Sequence, residues 1–278
     1  MKTEIVTSAQ NPKIKNLLLL QEKSKARREQ GLFVVEGQRE LQHCLEGGYR
    51  IKTIFVCPSI TGESAFSVAK KKADAPEKAT FSGMEDVDSV VEIPIELYKK
   101  VAYRDSTEGI IAEVEYKSLT LEDLNLPENP LIMVLESVEK PGNLGAVLRS
   151  ADAAGADAVF ICDPLTDLYN PNLIRASLGG IFTVPTVAVS SEEAIAFLQA
   201  RGIQILTAQL QDSSLYYDID MRRGTALVMG TEATGLTPIW RQAASAHIRI
   251  PMLGRLDSLN VSVSAAILLY EAVRQRQG

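Results

Sequence analysis

Apolar residues in the second half of the chain fall into short runs of strand length: LIMVLES, DAVFICD, TVPTVAV, IQILTAQ, TALVMG and AHIRIP, separated by helix-like stretches. Runs that are apolar at nearly every position suit strands covered on both faces, so the pattern predicts a mostly parallel sheet. The first half is patterned differently. A polar-capped helix is expected over about residues 11–29, with a seam at Ile14, Leu17, Leu18 and Leu20. GLFVVEG, QRELQHCLEGG and IKTIFVC then read as strand, helix and strand, with Gly47 and Gly48 stopping the helix. KATFSG is expected to add a strand and GIIAEVEY to close the unit. At the far end, Val261, Ala265, Leu268 and Ala272 repeat at helical spacing and predict an amphipathic final helix.

Between the two halves lies KSLTLEDLNLPENP, with two prolines and no long apolar run, which reads as a linker. The expected organisation is an α/β domain over 1–116, a linker over 117–130 and a second α/β domain over 131–278. A chain of 278 residues that is 46% hydrophobic is long enough for two such cores. No apolar run approaches the roughly twenty residues that span a bilayer. The start lacks the apolar stretch of a signal peptide, so no membrane association and a cytoplasmic location are expected. Cys44, Cys57 and Cys162 are odd in number and show no metal-like spacing with His43 or His247, which predicts buried free thiols and no metal site.

The net charge of −6 argues mildly against nucleic acid, but its distribution is uneven. Residues 1–30 hold seven Lys or Arg against three Glu, an excess able to contact phosphates. Lys13, Lys15 and, just beyond this stretch, Arg39 are candidate contacts for phosphates, with a solvated surface as the alternative.

In parallel sheets, ligands gather in loops at the strand carboxyl ends. Three such loops carry polar motifs. After LIMVLES, Pro141 and Gly142 make a turn, Asn143 can cap a helix, and Arg149 follows nearly two helical turns later, so both are expected near one face. A capped helix with a salt-bridged arginine is the plainer alternative. After TALVMG, Glu232 stands between Gly230 and Gly235, glycines that permit close backbone approach to a flat ligand. After AHIRIP, Ser258, Asn260 and Ser262 crowd the start of the final helix, although a plain cap needs only one such residue. The dinucleotide fingerprint and the phosphate loop are both missing, and the two histidines lie outside the three clusters, which argues against a nucleophilic triad.

Taken together, NLGAVLR, MGTEATGL and IPMLGRLDSLNVSVSAA resemble, in order and spacing, the three motifs of the SpoU (TrmH-type) RNA methyltransferases of the SPOUT superfamily. The resemblance covers 131–278, and PNLIRASLGGIFTVP looks like the family's intervening segment. The N-terminal unit is similar, more loosely, to the small α/β RNA-binding domain of many members. This resemblance implies a parallel-sheet domain with a deep trefoil knot, an exception to the rule that chains do not thread. It also implies a homodimer, S-adenosylmethionine as cofactor, and methyl transfer to a ribose 2'-hydroxyl of RNA, ribosomal ahead of transfer RNA. Carried over by motif, Thr207, Ala208, Gly230, Ile250, Met252 and Leu259 hold the cofactor. Arg149 activates the hydroxyl, Asn143 and Asn260 position ribose and arginine, Glu232 orients Arg149 or substrate, and Ser258 shapes the pocket. A guanidinium stays protonated well above neutral pH, so stabilising a developing alkoxide suits Arg149 better than acting as a base, a role that stays open. The alternative from another class is a non-catalytic RNA-binding or ribosome-assembly protein that keeps the fold. Base methylation is disfavoured, because SPOUT families that modify bases carry different motif residues.

Overall fold

The computed structural model describes residues 2–61, 87–103, 108–231 and 234–277. Its backbone contacts divide the chain into two compact units, Met1–Lys117 with Tyr169–Ile174, and Ser118–Leu168 with Arg175–Gly278. The expected strand KATFSG lies outside the described residues.

The first unit runs β1 (Lys2–Ile5), α1 (Pro12–Glu22), α2 (Ser24–Gln30), β2 (Leu32–Glu36), α3 (Gln38–Glu46), β3 (Ile51–Val56), α4 (Pro58–Thr61), β4 (Ser89–Glu92), α5 (Ile95–Val101) and β5 (Ile110–Glu115). Its sheet has the order β1-β4-β3-β5-β2, parallel between β1, β4 and β3 and antiparallel from β3 to β5 and β2. The seam residues Ile14, Leu17 and Leu20 are fully buried. The single helix expected over 11–29 is instead two, broken at Lys23, which is extended at φ −111° and ψ 109°. The reason is Arg27. Only 2% exposed, it donates from Nη1 to the carbonyls of Leu20 (2.6 Å) and Gln21 (3.1 Å), satisfying the last turn of α1. One of the basic residues counted toward a phosphate surface is therefore part of the core. In the same unit Tyr169 stacks on Phe33, with ring centroids 4.1 Å apart. Burial holds the Glu113 carboxyl above the usual carboxylate range, opposed by hydrogen bonds from Asn16 and Thr53.

The second unit opens with a 3-10 turn at Leu121–Asp123. Residues 117–130, expected as a linker, are not a free strand of chain: Leu121 and Leu124 are buried in this unit's core, with Leu119 and Leu126 packed against it. Four leucines at short intervals supply the apolar surface that the prolines and acids obscure in the sequence. There follow β6 (Leu131–Glu136), α6 (Pro141–Ala153), β7 (Ala158–Cys162), α7 (Pro171–Ser177, of which Pro171–Ile174 count with the first unit), α8 (Gly180–Thr183), β8 (Thr186–Val189), α9 (Ser191–Ala200), β9 (Gln204–Ala208), β10 (Ser214–Leu215), β11 (Thr225–Met229), α10 (Pro238–Ala243), β12 (Ala246–Arg249) and α11 (Val261–Gln277). All six apolar runs became strands. Only β10, two residues long, had no pattern to announce it.

The strand order is β10-β12-β9-β11-β6-β7-β8, and every neighbouring pair is parallel. β6, β7 and β11 are buried at every position, as continuous apolar runs require. α11 packs on α6 and across β11 and β6 through Val261, Ala265, Leu268 and Ala272. Arg276 fastens its far end, donating to the carbonyls of Met221, Asn129, Pro130 and Arg223. The three cysteines are free and buried. Among the described residues no helix is long and apolar enough to cross a membrane.

Candidate active site

Because the strands of the second sheet are parallel, all their carboxyl ends lie on one edge. β12, β9, β11 and β6 are neighbours in that order, so the loops leaving them meet although they begin far apart in sequence. A cavity of about 330 Å³ opens there. Its walls come from the end of β9 (Ala208, Gln209, Leu210, Gln211), the end of β11 (Met229, Gly230, Thr231, Gly235, Leu236) and the chain after β12 (Ile250, Met252, Asp257, Ser258, Leu259). Val261, Ser264 and Leu268 of α11 complete it, with Arg241 and Arg249 as its cations. The volume falls in the range typical of small-molecule sites.

The loop after β11 folds back tightly. Gly235 N donates to Thr231 O at 3.0 Å, with Gly235 at φ +68°. A Cβ on Gly230 would lie 2.3 Å from the carbonyl carbon and oxygen of Gly235, so only glycine permits the fold-back that brings bare backbone to the cavity. The loop's far end is held by Glu136, 2% exposed at the end of β6, which accepts from Thr237 N (2.8 Å) and from Thr237 Oγ1. Sequence reasoning missed this anchor. Its one signal was an acid closing an otherwise apolar strand.

Asn260 Nδ2 donates to Asn143 Oδ1 at 3.2 Å, joining the first and third motifs across 117 positions of sequence. Asn260 Oδ1 in turn accepts from Ser262 N (3.0 Å) and Ser262 Oγ (2.6 Å), capping α11. Ser258 does not join this chain; its hydroxyl donates to Asp257 at 3.2 Å. Asn143 and Arg149 do not share one narrow face. Six residues at helical pitch set them about 120° apart, on either edge of the buried stripe Leu144, Gly145, Val147, Leu148 and Ala151. The Arg149 side chain is exposed and has no hydrogen-bond or ion-pair partner among the described residues, so the salt bridge considered as its plainer role is not seen there. Gly180 brings α8 against the α6 backbone at this level, where a Cβ would stand 3.3 Å from Leu148. Glu232 lies outside the described residues.

Of the residues expected at the cofactor, Ala208, Gly230, Ile250, Met252 and Leu259 line the cavity, and so does Ser258. Thr207 does not. It is fully buried, its hydroxyl paired with His247 Nδ1 at 2.6 Å between β9 and β12. Missed by the sequence reading were Gln209, Arg241 and Arg249, which lie outside the three motifs, and Asp257, which stands within the third motif beside Ser258. Gln209 Oε1 is buried without a hydrogen-bond partner among the described residues. At the same edge of the sheet, burial, with the charges of Asp163 and Glu136, pushes the Cys162 thiol up, which keeps it protonated and unsuited to nucleophilic chemistry. In the first unit, Lys13 pairs with Glu4 at 2.7 Å and Arg39 approaches Glu40 at 3.5 Å, while Lys15 is exposed. No group of three or more His, Cys, Asp or Glu able to hold a metal occurs among the described residues.

The sequence model of the SpoU rRNA Methylase family matches residues 130–270, and that of the MRM3-like substrate binding domain matches residues 11–112. The chain is 39% identical over 176 residues to the 23S rRNA (guanosine-2'-O-)-methyltransferase RlmB of Bordetella pertussis, a match that covers 62% of this chain and 72% of that protein. It is 30% identical over 253 residues to the 23S rRNA (uridine(2479)-2'-O)-methyltransferase of Streptomyces viridochromogenes, covering 88% of this chain and 84% of that one. Among solved structures, an AdoMet-bound rRNA methyltransferase from Sinorhizobium meliloti superposes with a TM-score of 0.84 at 30% identity, covering 98% of both chains.

Proposed function

Because the chain belongs to the SpoU rRNA methylase family, we propose that it transfers a methyl group from S-adenosylmethionine to a ribose 2'-hydroxyl of ribosomal RNA. The observation that carries this reading is the junction of the three post-strand loops, where the Asn143–Asn260 hydrogen bond ties the polar edge of α6 to the loop that lines the cavity. The lining fits the cofactor. Bare backbone at Gly230 and the apolar side chains of Ile250, Met252 and Leu259 suit a flat purine, while Arg241, Arg249 and Asp257 supply charges for an amino acid.

When bound, S-adenosylmethionine supplies an electrophilic methyl group. The residues of this chain orient a ribose hydroxyl and favour loss of its proton as the new bond forms. Arg149 carries a cation that no described side chain neutralises, and its guanidinium donates to the oxygen as negative charge develops. The proton passes to water or a neighbouring group. Asn143 and Asn260, joined to each other and to the cap of α11, hold the ribose and arginine in place. Ser258 shapes the rim, and Glu232 orients Arg149 or the substrate.

The remaining parts follow from the family. Residues 131–278 carry the transfer and residues 1–116 bind the RNA, with 117–130 between them and Lys13, Lys15 and Arg39 on the phosphates. The segment running from β12 into α11 threads a loop as a trefoil knot, consistent with its passage beside the loop after β11 to reach α6 and β6. The protein works as a homodimer in the cytoplasm. Support for pairing comes from apolar side chains left in water along the third motif and α11: Leu253 is 96% exposed, Leu256 79% and Tyr270 50%.

The reading is tested by incubating the protein with labelled S-adenosylmethionine and 23S rRNA from cells lacking the gene, then digesting the product with alkali. A 2'-O-methyl group blocks cleavage and leaves labelled dinucleotides. Label recovered in single nucleotides means base methylation, and no incorporation into any ribosomal RNA points to a scaffold; either overturns the proposal.

A further inference from the structure

Arg149 has an acid beside it that it does not use. Asp152 lies three residues on in α6, the spacing at which opposite charges on a helix pair. It also falls in the last turn of α6, where the carbonyl ends of the backbone dipoles disfavour a carboxylate. Both residues are exposed, yet no ion pair joins them. Asp152 Oδ1 accepts instead from Thr183 Oγ1 of α8 at 2.5 Å, and Arg149 has no partner among the described residues. The hydroxyl has one proton, which goes to the nearer, charged acceptor rather than to Gly180 O at 3.3 Å.

At helical pitch Asp152 stands about 40° around α6 from Leu148 and about 60° from Arg149, so its carboxylate can turn to either flank. α8 occupies the Leu148 flank. Its first residue, Gly180, comes so near that an added Cβ would stand 3.3 Å from the carbonyl carbon and oxygen of Leu148 and 3.4 Å from Arg149 N. The turn that allows this approach has Leu178 at φ +52° and Gly179 at φ +88°, and a leucine rarely adopts such an angle. Buried Ile181 and Phe182 seat α8 in the core, with exposed Thr183 at the carboxylate. Resting on the reading of Arg149 as the cation that meets the ribose oxygen, we infer that Thr183 is a positioning residue for methyl transfer. It holds Asp152 on α8 and so keeps the Arg149 guanidinium from being neutralised within its own helix. A carboxylate paired with that guanidinium would occupy its N–H donors and oppose the negative charge developing on the 2'-oxygen. Exposed helix pairs are weak, so the effect on rate is modest and depends on salt.

Single-turnover methyl transfer by the full chain, with saturating 23S rRNA from cells lacking the gene, tests this. Thr183→Val removes the hydroxyl and should slow transfer by about threefold at low salt, with the deficit shrinking as salt is raised. Its affinity for S-adenosylhomocysteine should stay at the wild-type value, and Thr183→Ala repeats the test if the valine variant folds poorly. Thr183→Ser keeps the donor and should keep the rate. Thr183→Val combined with Asp152→Asn leaves no carboxylate to pair with Arg149 and should regain the wild-type rate, a rescue that a loss of packing would not show. A valine variant at full rate, or a double variant as slow as the valine variant, overturns the inference alone. A wild type that transfers no methyl group, or an Arg149→Ala variant as fast as the wild type, takes the reading of the site down with it.

Discussion

Arg149 and Glu113 are two charged side chains whose surroundings give them opposite consequences. Arg149 is exposed, with no described partner, so its charge is available to a substrate. Arg149→Ala should lower methyl transfer by roughly a hundredfold or more while S-adenosylhomocysteine still binds near the wild-type affinity, measured by single-turnover assay and calorimetry. Retention of the wild-type rate would remove Arg149 from its role. Glu113 is 6% exposed and its carboxyl is raised by burial, so the folded protein holds this proton more tightly than the unfolded chain does. Stability is therefore greatest when the group is protonated and is lost as pH rises from the ordinary carboxylate range through the raised value. Glu113→Gln keeps an acceptor for Asn16 Nδ2 and has no charge to bury. Its melting temperature should exceed that of the wild type at about pH 7, with the gap closing toward about pH 4, as thermal unfolding at the two values would show.

Among the elements, the loop after β11 is the least tolerant of change. Glycine at 230 is required by distance rather than by dihedral angle, since an added Cβ would stand 2.3 Å from Gly235 backbone. That backbone cannot yield cheaply, because Glu136 holds Thr237 two residues beyond it. Gly230→Ala should displace the loop from the cavity and weaken S-adenosylhomocysteine by about tenfold or more, with the first unit still folded by hydrogen exchange. An alanine variant with unchanged affinity would show that the loop can open without loss. Element identity was legible along most of the chain because burial on both faces leaves continuous apolar runs, and all six in the second half are strands. The break between α1 and α2 was not legible. It depends on a buried arginine donating to two carbonyls, and arginine in a basic segment reads as a surface charge.

For the whole molecule, the exposed leucines of the third motif are the feature most in need of a partner. Leu253 and Leu256 lie in the loop that lines the cavity, and Val263 and Tyr270 continue the apolar surface along α11. The protein should sediment as a dimer at micromolar concentration, and Leu256→Asp should shift it toward monomer. A wild type that remains monomeric at about 100 μM would rule out the homodimer.

The chain's apolar periodicity determined which segments became strands and helices, and the residue types clustered after three of those strands pointed to one family of chemistry. Both are local properties, written in neighbouring positions. What the tertiary structure decided was which distant groups meet: Asn143 with Asn260, Glu136 with Thr237, and Thr207 with His247. It also decided which buried polar atoms have no partner among the described residues, Gln209 Oε1 among them. Strand order produces these encounters. The parallel sheet places β12, β9, β11 and β6 side by side, out of their order in the sequence, and hydrogen-bond partners across that edge are set by strand neighbours rather than by position along the chain.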